Sequence, residues 1–240
     1  MPTAAPTAPR SHPARPLPSR RRLQALLRCA APPANRPKKG SPLSTRSFLA
    51  RPTETGYSGI YVHLDGIPSH HLPLLLTARR YRFGGNTDAL ARHLVDQVAV
   101  GWDELGTDLL DDAPAALRTA LTGGESWPSR TMDGLICPDG SPPQRMTVTE
   151  ESAGEQDLQW GYVLHPHGIE VISLHESLRG PVVRWDTDPR ARFSDHPAQW
   201  RPSGPPPLSP PPEPLPPSRL GAQPATAPAT ISPPRAPARR

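Results

Sequence analysis

The sequence predicts an α+β domain: an antiparallel sheet of about five strands with two or three helices on one face, flanked by disordered tails. The first observation is a split in composition. Between Ser44 and Arg201 there are 21 Asp/Glu against 14 Lys/Arg, a net charge of −7, with 12 prolines in 158 residues. The other 82 residues hold 25 prolines and a net charge of +12. The second observation is a change of period, with strand-like alternation before about residue 66, helical spacing to about residue 121, and alternation again from Met146. The third is that these elements fall in blocks and do not alternate, the arrangement of α+β folds.

Residues 1–43 contain ten prolines and few large apolar side chains. Such a segment buries too little surface to offset its chain entropy and reads as a disordered head. Thr45–Ala50 is a first strand. Gly59–Asp65 is a second, in which Ile60, Val62 and Leu64 share one face and Tyr61, His63 and Asp65 the other. Gly66-Ile67-Pro68 ends that strand, and Ser69 is placed to N-cap a helix running to about Tyr81. Pro73 falls at the edge of its first turn. Gly84-Gly85 closes it, and Asn86 or Thr87 starts a second helix with an apolar stripe at Leu90, Leu94 and Val98, flanked by Ala91 and Val95. A short third helix spans Pro114–Leu121, with Gly123-Gly124 just past its end. Strands follow at Met146–Thr149, Leu158–Leu164, Ile169–Leu174 and Val182–Trp185, the middle pair joined by the hairpin turn His165-Pro166-His167-Gly168. Residues 202–240 form a proline-rich tail carrying Pro214-Leu215-Pro216-Pro217-Ser218-Arg219, a PxxPxR pattern of the kind that docks on SH3-type grooves and that chance also supplies in so proline-rich a tail.

The basic overall pI therefore belongs to the ends, and the part that folds, residues 44–201, is a single acidic domain long enough to need no covalent staple. Cys29 and Cys137 form neither a disulfide framework nor a metal knuckle, which fits a reducing, cytoplasmic setting. No apolar run reaches membrane-spanning length, and Leu23–Leu27 is too short for a secretory core, so no membrane partner is expected. No phosphate-binding glycine motif is present.

The densest polar cluster is His63, Asp65, His70 and His71. Imidazole and carboxylate at this spacing can hold a divalent metal, since the turn at Gly66–Pro68 can swing a helical histidine back toward the strand. Against that, adjacent histidines on a helix diverge and a helix start disfavours a cation, so solvated turn residues are the competing reading. The weaker candidates read as turn residues: His165 and His167 around Pro166, and Asp186 with Asp188. Asp195-His196 lacks an evident serine partner, and Cys137 lacks a neighbouring cation to activate it. The tryptophans read as core, and the acidic runs around Asp103, Asp108 and Asp111 as a solvated face. The cationic head, Arg20-Arg21-Arg22 with Arg28, Arg36, Lys38 and Lys39, offers weak, salt-sensitive binding to nucleic acid.

The segment Gly59-Ile60-Tyr61-Val62-His63-Leu64-Asp65-Gly66-Ile67-Pro68 resembles that of a family of small uncharacterised proteins from bacteriophages and actinobacterial mobile elements, whose usual form is Tyr-Cys-His-Trp-Asp-Gly-Tyr-Pro. Ser69–Leu76 and Gln159–Leu164 resemble the actinobacterial branch. Val62, Leu64 and Ile67 depart from the pattern; His63, Asp65, Gly66 and Pro68 keep it. The resemblance covers about Ser44–Arg201 and implies a mobile-element context without an activity. Two functions are therefore expected: a non-enzymatic accessory or interaction protein that meets a protein partner and needs no cofactor, or a metal-dependent hydrolase centred on His63 and Asp65. Nucleic-acid binding through the head is a third.

Overall fold

The first two strands make a tight hairpin. β1 (Ser47–Thr53) and β2 (Gly56–Val62) run antiparallel, in register from Ser47 opposite Val62 to Thr53 opposite Gly56. The computed structural model describes residues 45–134, 140–175, 179–202 and 204–212. The basic head, Cys29, Cys137 and the PxxPxR segment lie outside the described residues.

Helix α1 (Pro68–Thr77) follows and passes into a wider π turn over Ala78–Arg82. Its N-cap is Ile67 and not Ser69, because Pro68 occupies the first helical position, where a missing N–H costs nothing. Pro73 lies inside the helix. Gly84 and Gly85 adopt φ of 55° and 82°, the left-handed region that lets the chain turn away. The Asn86 side chain then caps α2 (Thr87–Ala91) by accepting from the Ala89 N–H at 3.0 Å. A second π turn, Arg92–Asp96, continues α2 and buries the Leu90, Leu94 and Val98 stripe as its spacing requires. After β3 (Trp102–Glu104) and a 3-10 turn (Thr107–Leu110) comes α3 (Ala115–Thr122), ended by Gly123 at φ 65°. Next are β4 (Arg130–Thr131), β5 (Thr147–Thr149), the short α4 (Glu150–Ala153), β6 (Trp160–His165), β7 (Gly168–Ser173) and β8 (Val182–Arg184). β9 (Arg192–Phe193) and β10 (Leu208–Ser209) form a separate two-stranded ribbon, which carries the described fold past Arg201.

The fold is α+β, but the sheet corrects the expectation of five antiparallel strands. It has eight strands in the order β4-β3-β2-β1-β6-β7-β8, with β5 beside β2, and it is mixed: β1 runs parallel to β6, and β2 parallel to β3. The cause is the burial of β1. Phe48, Leu49 and Ala50 are all inaccessible, so this strand faces apolar layers on both sides and needs a partner on each edge. Its second edge is filled by β6 from the other half of the chain.

Two apolar layers result. Leu49, Ile60, Val62, Tyr162 and Val171 face α1 and α2. Phe48, Tyr57, Tyr61, Val163 and Ile172 face Val100, Met132, Met146 and Ala153 on the other side. The sheet is thus covered on both faces, with helices forming the larger cover. No helix among the described residues is long and apolar enough to cross a membrane.

Candidate functional site

The turn between β2 and α1 brings the polar cluster to one end of the sheet. Asp65 takes φ 53°, a left-handed position that a short polar side chain tolerates, and Gly66 follows in close contact with Ser47. A Cβ at Gly66 would lie 2.3 Å from Ser47 Oγ, so the turn requires glycine for close approach. The Tyr162 hydroxyl donates to the Gly66 carbonyl at 2.8 Å, tying the turn to β6.

The four residues singled out by spacing then diverge. The Tyr61 hydroxyl and His63 Nδ1 lie 3.0 Å apart, so His63 sits with Tyr61 toward the second apolar layer. His71 is inaccessible and packs edge-on against the Tyr162 ring (centroids 5.1 Å, interplanar angle 76°) in the helical layer. His70 stacks on Trp127 at 5.9 Å. Among the described residues, no group of three or more His, Cys, Asp or Glu side chains is arranged to hold a metal ion.

Both ring nitrogens of His71 and Nε2 of His70 are buried without a hydrogen-bond partner among the described residues. Burial holds the His71 ring well below the ordinary imidazole range, helped by its neighbour His70. Burial also lowers His70, opposed by the Asp65 carboxylate, a bond with the Leu105 backbone and the Asp195 carboxylate. Both rings are therefore neutral near pH 7, and the bland reading of the pair as solvated turn residues does not describe them.

The partner that sequence could not find is Asp195. It lies 126 residues from Ser69, yet its carboxylate accepts from the Ser69 backbone N–H at 2.8 Å and from the Ser69 hydroxyl at 2.6 Å. It thereby caps the start of α1, where partial positive charge favours a carboxylate. Ser69 also lines a groove of about 260 Å³ bounded by Pro73 of α1, Leu121 of α3, Arg190, Arg192 and Phe193 around β9, and Pro212. Four separate parts of the chain build that groove. Beside it, Leu208 pairs with Phe193 and Ser209 with Arg192, while the Ser194 N–H donates to the Pro207 carbonyl at 3.2 Å. An extended stretch with Pro205-Pro206-Pro207 on one side and Pro210-Pro211-Pro212 on the other is thus laid along β9. Trp200 anchors the approach: it is inaccessible, meets Trp160 edge-on at 6.2 Å and donates its indole N–H to the Ser194 carbonyl.

Other expected candidates have structural partners. Asp186 pairs with Arg184, and Asp188 with Arg190. His165 Nε2 lies 2.9 Å from Glu170, a buried carboxylate that Arg179 clasps through two nitrogens at 2.7 Å. The acid-rich stretch is only partly a solvated face: Glu104 is buried against Arg130, and Asp108 accepts from the Ser129 N–H and hydroxyl, whereas Asp111 and Asp112 are exposed. No protein-family model, no curated protein and no solved structure matches this chain.

Proposed function

We propose that this chain is a non-enzymatic interaction protein, an accessory of a mobile or phage-derived element, whose recognition surface is the groove beside β9 and whose ligand is an extended, proline-rich protein segment. The observation that carries the reading is the β9–β10 ribbon. There the domain already holds a proline-flanked strand by main-chain pairing, and an open groove continues from the end of that strand. Strand addition gives affinity through the backbone, while side-chain pockets select the sequence. Proline suits such a site because its fixed φ lowers the entropy lost on docking. Leu121 and Phe193 supply apolar contact, and Arg190 and Arg192 supply a polar rim.

The test places a photo-crosslinking amino acid at position 121 of the full chain, irradiates cells that express it, and maps the adducts by mass spectrometry. Adducts concentrated on proline-rich peptides are the expected result. An adduct set with no proline enrichment over that of a crosslinker at exposed Asp112 sinks the reading.

A further inference from the structure

The groove has a natural occupant in the chain itself. The described residues end at Pro212, which is one of the groove's own walls. The next residues in sequence are Glu213-Pro214-Leu215-Pro216-Pro217, and Glu213 is the single acidic residue between 202 and 240. At the groove, Arg190 is engaged by Asp188 at 2.6 Å, whereas Arg192 is exposed and forms no ion pair among the described residues. Arg192 pairs with Ser209 through its backbone and is one of the residues that line the groove. The Asp195 carboxylate is bonded to the Ser69 N–H and hydroxyl at the start of α1 and forms no ion pair with Arg192.

Building on the recognition reading above, we propose that the groove is the resting seat of Glu213–Pro217 of the same chain, with the Glu213 carboxylate against Arg192 and Leu215 against Leu121 and Phe193. Three features agree. The chain arrives at the right place, since one residue past Pro212 spans roughly 3.5 Å and three span roughly 10 Å. The charge is complementary, a lone carboxylate meeting a lone guanidinium. The tether makes docking intramolecular, so a weak intrinsic contact is occupied at an effective concentration on the order of millimolar. The segment then acts as an internal competitor that a partner's proline-rich segment must displace.

The experiment titrates a fluorescent peptide of sequence Pro-Glu-Pro-Leu-Pro-Pro-Ser-Arg against the full chain and against a full-chain Glu213→Lys/Leu215→Asp variant, read by anisotropy. The variant frees the groove and binds the peptide at least about tenfold more tightly than the unmodified chain. Adding Arg192→Glu to that variant removes the gain, while thermal melts confirm that all three proteins are folded alike. Equal affinity of the unmodified chain and the Glu213→Lys/Leu215→Asp variant overturns the proposal and leaves the recognition reading standing. Absence of binding to every form, at peptide concentrations up to the millimolar range, overturns both. Retention of the gain with Arg192→Glu overturns the charge pairing on which the proposal rests.

Discussion

His71 enters the core at a cost that depends on pH. Its ring is inaccessible, neither nitrogen is hydrogen-bonded among the described residues, and burial holds its pKa well below the ordinary value of 6.5. His70 is lowered too, chiefly by burial, with Asp65 and Asp195 opposing. In the unfolded chain both rings take up protons near pH 6.5; in the folded chain they do so only at lower pH. The unfolded state therefore binds more protons below that point, and stability rises with pH through this window. It is complete above about pH 6.5 and is lost as pH falls, by about 1.4 kcal/mol per pH unit for a fully resistant ring. Glu170, whose carboxyl is lowered by Arg179 and His165 against the effect of burial, acts in the same sense only below about pH 4.5. Urea unfolding at pH 7.0 and pH 5.5 checks this. The His71→Phe variant loses about 1.3 kcal/mol less than the unmodified chain over that interval; parallel losses in the two proteins contradict the assignment. Spacing alone groups His70 and His71 with His63 and Asp65. It cannot reveal which side of the sheet each ring enters, because the left-handed turn at Asp65 redirects the chain just where the alternation of β2 would otherwise extend.

At the level of elements, the alternation of β2, the Leu90–Leu94–Val98 stripe and the glycines after α1 and α3 are all readable. Each is a local signal with a period or a breaker behind it. The second apolar layer is not, since Val100 and Met132 come from connecting segments with no period. The meeting of β1 with β6 is equally hidden, yet it rests on a sharp steric fit. A Cβ at Gly161 would fall 2.1 Å from the Phe48 ring, which is itself stacked on Tyr57 at 4.9 Å and cannot retreat. Gly161→Ala is expected to cost about 2–3 kcal/mol by overpacking. In combination with Phe48→Ala the two losses sum to less than their separate values by about 1 kcal/mol or more, since the smaller residue removes the clash. Chemical denaturation of the two single variants and the double variant measures this coupling, and strict additivity argues against the contact.

For the whole molecule, composition draws the domain limit at Arg201, whereas the described fold continues to Pro212 because β10 pairs with β9. Proline content hides this continuation. Pro205–Pro207 and Pro210–Pro212 argue against strand, and the pairing uses only Leu208 and Ser209 between them. Chains cut after Arg201 and after Pro212 separate the two limits by calorimetry. The longer one melts higher by about 3–6 °C, as roughly 1–2 kcal/mol does for a domain of this size. Equal melting temperatures place the ribbon outside the cooperative unit. The candidate site was legible to a similar degree: Ser69, Asp195 and Arg192 are ordinary residues in sequence and acquire a joint role only when α1 packs against β9.

The central position of β1 also governs how the chain is made. Ser47 emerges from the ribosome early, but its parallel neighbour Trp160 is about 110 residues behind it. Throughout that interval one edge of an apolar strand has its neighbour still unsynthesised, while β2 and α1 are already out. Completion of the sheet therefore waits until β6 has been made, and the unfinished segment from β1 to β5 is the form most in need of a chaperone.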